Sequence, residues 1–154
     1  MAEARQFCSF TVGNLYLGID VLRVQEVIRS QAMTPVPLAH PMVRGLINLR
    51  GQIVTAIDLR RRMDFPDRES AESSVNVVIE TDDGAISLIV DDIGDVVEVD
   101  QELFERPPDT LRGPGRELIT GTYKLPDKLL LVLDPDAAIT LLGSTREPPR
   151  ASVN

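Results

Sequence analysis

Gly45-Leu46-Ile47-Asn48-Leu49-Arg50-Gly51-Gln52-Ile53-Val54-Thr55-Ala56-Ile57-Asp58 reads as two apolar strands folded on a tight turn. Residues 46–49 and 52–58 supply the strands, and Arg50-Gly51 supplies the turn. The turn places a guanidinium on a short, rigid hairpin. There it forms an oriented fork of donors suited to a partner's carboxylate or backbone carbonyls. An ordinary solvated turn arginine is the plainer reading of the same residue.

The same grammar repeats on both sides. Residues 6–12 alternate, with Cys8, Phe10 and Val12 on one face, and Gly13-Asn14 turns the chain into 15–20. Residues 75–81 and 85–91 flank Asp82-Asp83-Gly84, and 118–123 and 128–134 flank Leu125-Pro126-Asp127. The unbroken apolar run at 129–133 predicts a strand covered on both faces. Four hairpins of short strands define an all-β class, a barrel or sandwich. Helix signals are few. Asp134 with Pro135 at the first position starts a short C-terminal helix over 135–142, stopped by Gly143. Asp58 starts a shorter one over 59–63. Residues 65–74 read as a connecting loop, and 144–154, with Pro148-Pro149, as a flexible tail.

Spacing points to an internal repeat. Gly45 precedes Asp58 by thirteen residues, and Gly121 precedes Asp134 by thirteen. Asp20 lies seventeen residues before Pro37, as Asp91 does before Pro108. Two similar small β modules in tandem, over 15–58 and 85–134, account for this order.

Composition removes several classes of function. The chain carries 24 acidic against 16 basic residues, a formal charge of −8, and no tryptophan. Nucleic-acid binding, which draws on Lys and Arg against phosphate and on aromatic stacking, is excluded on that balance. The one basic cluster, Arg60-Arg61-Arg62, fans outward on a helix and reads as a solvated face. No apolar run approaches the roughly 20 residues of a membrane span, and the N-terminus lacks a signal-peptide core. A single cysteine, Cys8, forms no internal disulfide, which fits a cytoplasmic location.

Chemistry is equally sparse. With one cysteine and one histidine, His40, the usual nitrogen–sulfur zinc set cannot be assembled, and no cofactor is expected. Cys8 sits on an apolar strand face and reads as core, and His40 as an exposed loop residue. Gly113-Pro114-Gly115 lacks the third glycine of a dinucleotide loop. Asp91, Asp92 and Asp95 lack calcium-loop spacing and read as a strand end and turn. No nucleophile or acid–base set remains, so a non-enzyme is expected. The run Val24-Gln25-Glu26-Val27-Ile28, if extended, sets Glu26 among apolar neighbours, a mixture that suits an interface or an edge strand.

The stretches YLGIDVLRVQEVI (16–28) and GLINLRGQIVTAIDLR (45–60) closely resemble the CheW family of chemotaxis coupling proteins. The resemblance runs on through TPVP, LIVDDIGDVVEV, the RPP segment and GTYKLPDKLLLVLD, from about Phe7 to Leu142. It implies two intertwined five-stranded SH3-like barrels with a short C-terminal helix. The first would comprise 15–74, and the second 6–14 plus 75–134. It also implies a non-catalytic adaptor between the cytoplasmic tip of chemoreceptors and the regulatory domain of a CheA-type histidine kinase. Carried over by motif, Val24, Glu26, Val27 and Arg50 would line the first-barrel side of a receptor groove. Val75 and Val96 would come from the second. Val27 departs from the family at a position where isoleucine is common. The kinase-binding surface has no comparably sharp motif and is assigned to no residue.

Two alternatives stand beside this expectation. One is the same scaffold in another receptor–kinase array, such as that of twitching or surface motility. The other is a small-ligand β-barrel whose Arg50 holds an anionic metabolite in a closed polar pocket.

Overall fold

Turn chemistry and alternation generate the strands, and the computed structural model describes them over residues 4–29, 32–67, 74–82, 84–111 and 113–140. Among these residues the strands are β1 Ala4–Val12, β2 Leu15–Asp20, β3 Val24–Arg29, β4 Val43–Leu49 and β5 Gln52–Asp58. After α1, Leu59–Arg62, come β6 Val75–Thr81, β7 Gly84–Val90, β8 Asp92–Asp100, β9 Ile119–Lys124 and β10 Leu129–Leu133. Helix α2 is Pro135–Ala138. The rest of the expected 135–142 helix beyond Thr140, the stop at Gly143 and the tail lie outside the described residues, as does Asp83 of the third turn.

All four expected hairpins pair antiparallel. In β4–β5 both turn residues take positive φ, Arg50 at 52° and Gly51 at 88°, the backbone a two-residue turn needs to match the strand twist. Asn48 Oδ1 accepts from Gly51 N at 2.9 Å and holds the turn.

The strands form two five-stranded sheets, ordered β8-β1-β2-β10-β9 and β3-β6-β7-β5-β4. Advancing every strand of the first sheet by five positions, cyclically over the ten, reproduces the second. The chain is therefore a repeat of five strands and a helix, and each sheet combines the first two strands of one copy with the last three of the other. The Gly-to-Asp spacing marks this repeat. At Gly45 and Gly121 the edge strand bulges, and a crossing chain lies over the bulge. Thr34 pairs there with Leu46, and Glu105 with Thr122. Asp58 and Asp134 cap α1 and α2 alike, accepting from the backbone N–H two residues on at 3.0 Å.

Strand exchange corrects the expected boundaries. The residues expected at 15–74 and at 6–14 plus 75–134 are not the ones that pair. One sheet instead joins β1–β2 to β8–β10, and the other joins β3–β5 to β6–β7. A boundary at residue 14 would cut the β1–β2 hairpin, whose register its own turn fixes. The chain changes sheets at Val21–Arg23 and at Asp91, where no hairpin is broken. The modules are interlocked, not in tandem.

Each sheet buries two faces. The largest apolar cluster lies between the sheets and draws Phe10, Val12, Leu17, Ile19 and Leu131 from one and Ile57, Val77, Ile79 and Leu88 from the other. A second, with Phe7, Val99, Tyr123, Leu130 and Val132, fills the first sheet's other face, and smaller ones around Ile47 and Val54 fill the second's. This two-sided cover is the reason residues 129–133 are apolar without alternation. Cys8 is buried, as expected, and His40 is half-buried, its Nδ1 accepting from Met42 N at 3.2 Å.

The three arginines of α1 are not a solvated face. They fan outward, but each is anchored. Arg60 forks onto Asp91, Arg61 pairs with Asp67 and donates to Pro41 O, and Arg62 donates to Ala137 O and Ala138 O of α2. The aspartates are also placed differently. Asp91 is the bend between sheets, whereas Asp92 and Asp95 lie within the nine-residue β8.

Candidate functional site

Edge strands β3 and β8 occupy equivalent places in the two sheets, and each carries one extra residue. In β3, Val24 faces Ile79 and Val27 faces Val77, three steps against two. In β8, Ile93 faces Phe10 and Val96 faces Cys8, again three against two. Val24 is thus the counterpart of Ile93, and Val27 of Val96. Val24 and Ile93 are half-buried against the central core. Past each bulge the next valine turns out to solvent, Val27 at 39% and Val96 at 55% exposure. Bulges twist an edge and re-aim a side chain, which is how two apolar residues come to stand exposed here. Ser9 Oγ donates to Asp95 O at 2.5 Å inside the β8 bulge, a close approach that leaves Gly94 no room for a Cβ.

Glu26 and Arg50 meet across the sheet. Arg50 Nη1 and Nη2 each donate to one Glu26 carboxylate oxygen at 2.7 Å, a bidentate fork. β3 and β4 are opposite edges of their sheet, so this contact is possible only because the sheet rolls on itself. The other sheet rolls likewise, with Val99 of one edge packed with Tyr123 of the other. Arg50 remains 75% exposed at its side chain while Glu26 is mostly covered. The Arg50 guanidinium holds the Glu26 carboxyl below the usual carboxylate range, and Glu26 raises Arg50 in turn. The pair is ionic at neutral pH.

The structure therefore brings Val24, Glu26, Val27 and Arg50 to one rolled sheet and sets Val96 at the matching position of the other. Val75 is a correction. It opens β6 in the same sheet as β3, paired with Arg29, and is 2% exposed within the central core. Alternation decides this, because Val75, Val77 and Ile79 share the face that meets the other sheet. Val75 cannot touch a partner.

Sequence reading missed Leu22, an apolar residue 88% exposed at the crossover just before β3. It also missed an open cleft of about 830 Å³ between the loop before β4, the β4–β5 and β6–β7 hairpins and α2. Leu38, Ile53, Val36, Ile86 and Ile139 give it an apolar lining, and Leu38 and Ile53 are strongly exposed. A run of exposed apolar residues in a loop has no periodic signal, so only the fold assembles this surface. No cluster of potential metal ligands occurs among the described residues, and no helix among them is long and apolar enough to cross a membrane.

Two interlocked β-barrels with exposed valines, a fixed ion pair and an open apolar cleft define an interaction module. A family model described as the CheW-like domain matches residues 6–142, and the chain belongs to that family. The chemotaxis protein CheW of Treponema pallidum is 32% identical over 86% of this chain and 80% of its own length. That of Bacillus subtilis is 30% identical over 91% and 90%. The crystal structure of the scaffolding protein TtCheW from Thermoanaerobacter tengcongensis superposes with a TM-score of 0.78 at 26% identity, over 86% of this chain and 90% of that one. The expected all-β, non-enzymatic class holds.

Proposed function

We propose that this chain is a chemotaxis adaptor that couples the cytoplasmic tip of chemoreceptors to the regulatory domain of a CheA-type histidine kinase. The observation that carries the reading is the Arg50–Glu26 fork beside the exposed Val27, with Val96 at the matching place on the other barrel. A helical partner needs an apolar strip for packing and a few fixed charges for register, and this edge offers both. Val24, Glu26, Val27 and Arg50 line one side, Val96 the other, and Val75 supports them from the core.

An adaptor needs a second surface. The cleft lined by Leu38, Ile53 and Val36 is the one we assign to the kinase domain, since its exposed apolar area requires a cover. The β4–β5 hairpin belongs to both surfaces, Arg50 to the first and Gln52 and Ile53 to the second. The adaptor works in the cytoplasm, recruited to receptor arrays by these contacts. The metabolite-barrel reading is weaker, because Arg50 lies outside the cleft and its fork is occupied by Glu26.

Titration calorimetry of the chain with a receptor-tip fragment and, separately, with the kinase regulatory domain tests this. Arg50→Glu sets two carboxylates face to face and is expected to abolish tip binding while leaving kinase binding intact. Failure of the wild type to bind either partner would overturn the reading.

A further inference from the structure

The two points where the chain changes sheets are each tied down by an arginine–aspartate pair, the arginine standing on the crossover in one and on the helix in the other. At the first, Arg23 donates to Glu80 O from Nε at 3.2 Å and from Nη2 at 2.9 Å, and to Asp136 at 2.9 and 3.3 Å. At the second, Asp91 accepts a fork from Arg60 Nε and Nη2, both at 2.7 Å, and a third bond from Gly13 N at 2.7 Å. Asp136 and Arg60 are counterparts, each two residues past its helix cap. Glu80 and Gly13 each belong to the hairpin joining the first two strands of a repeat, Glu80 near the end of β6 and Gly13 in the turn after β1. Every crossover is thus bound to the helix and the hairpin of the opposite repeat.

Topology forces this meeting. β5 runs parallel to β7, and β10 parallel to β2. Parallel neighbours end side by side, so α1 begins next to Asp91 and α2 next to Asp20 and the Val21–Arg23 turn. From these same points the edge strands depart. Arg23 immediately precedes Val24 of β3, and Asp91 immediately precedes β8 with Ile93 and Val96.

We infer that Arg23–Asp136 and Arg60–Asp91 are positioning pairs that fix how β3 and β8 stand relative to each other, and so set the width of the partner groove between Val27 and Val96. The inference rests on the groove proposed above, but its geometric half is measurable without any partner. A surface ion pair alone contributes little to stability. A latch at the root of a binding edge acts instead through preorganisation, since any freedom it removes beforehand is not lost on binding. Arg60–Asp91 is the stronger of the two, with both side chains at 20% exposure against 33% and 63% for Arg23 and Asp136.

Spin labels at Val27→Cys and Val96→Cys, in a Cys8→Ser background, report the separation of the two edges by pulsed dipolar spectroscopy. A narrow distance distribution is expected for the otherwise native chain, broadened by Arg60→Gln and less by Arg23→Gln, with far-ultraviolet circular dichroism unchanged. In unlabelled chains carrying native Val27 and Val96, Arg60→Gln is expected to weaken receptor-tip binding about tenfold and kinase-domain binding less than twofold. If Arg60→Gln fails to fold, Arg23→Gln, at the more exposed latch, carries the same test. An unchanged distance distribution in a folded variant overturns the inference. So does broadening without any loss of tip affinity. Failure of the native chain to bind the tip at all would instead overturn the groove, while the distances still decide whether the latches position the edges.

Discussion

Glu26 and Arg50 are each other's partner, so removing either one exposes what the other does alone. The fork lies at the surface, where ion pairs are screened and contribute little. Glu26→Gln is therefore expected to leave the melting temperature nearly unchanged at neutral pH while weakening receptor-tip binding. The pair's small stabilisation has a definite pH sense. Arg50 depresses the folded-state Glu26 pKa, so the contribution is present above the ordinary glutamate range and is lost as pH falls through the folded value. Melting curves of wild type and Glu26→Gln are expected to converge in acid. Divergence there would mean that Glu26 stabilises the chain by another route. The valines separate by burial. Val27→Asp and Val96→Asp are expected to fold and lose tip binding, whereas Val75→Asp places an unpaired charge in the central core and costs roughly 3–5 kcal/mol. Urea denaturation distinguishes the two behaviours. The family motifs single out Val24, Glu26, Val27, Arg50 and Val96, and the structure adds the Arg50–Glu26 fork and the exposure of Val27 and Val96. The burial of Val75 was not legible in them, because a motif carries position along the chain and not the face to which a strand turns.

Hairpins were the most legible elements, since each has turn residues at its centre and apolar residues on both sides. The two edge strands were the least. A bulge breaks the period of two, and β8 carries Asp92, Gly94 and Asp95 where a strand pattern expects apolar residues. The repeat also makes equivalent elements comparable. A methyl group at Gly45, which has φ of 157°, would stand 2.7 Å from Thr34 O, which accepts from Leu46 N while Thr34 N donates back to Leu46 O. At Gly121 the obstacle is the ring of Phe104, a half-exposed side chain that can swing away. Gly45→Ala is therefore expected to cost more than Gly121→Ala, about 2 kcal/mol against about 1. Chemical denaturation of the two variants measures the order, and equal costs would remove the reason given for the glycine at position 45.

Across the whole molecule, the central core lies between sheets that each contain both repeats, so neither half of the chain can complete a sheet alone. Leu131, 5% exposed in that core, connects the two scales. Leu131→Asp is expected to abolish cooperative unfolding of both sheets together, in place of melting one and sparing the other. The echo of Gly and Asp spacings signalled a repeat, but spacing alone cannot distinguish tandem from exchanged modules. Only the pairing of β2 with β10 and of β7 with β5 decides that. The open apolar cleft was illegible for the same reason, being assembled from a loop, two hairpins and a helix far apart in sequence.

The central claim is that one chain holds two partners at once through separable surfaces. Sedimentation velocity of a labelled receptor-tip fragment, mixed with the chain and a CheA-type regulatory domain, tests it most directly. The account predicts a ternary boundary with the wild type, and with Arg50→Glu free tip beside an intact chain–kinase complex. Competition between tip and kinase domain for the wild type, or loss of both contacts on Arg50→Glu with the fold intact, would contradict it.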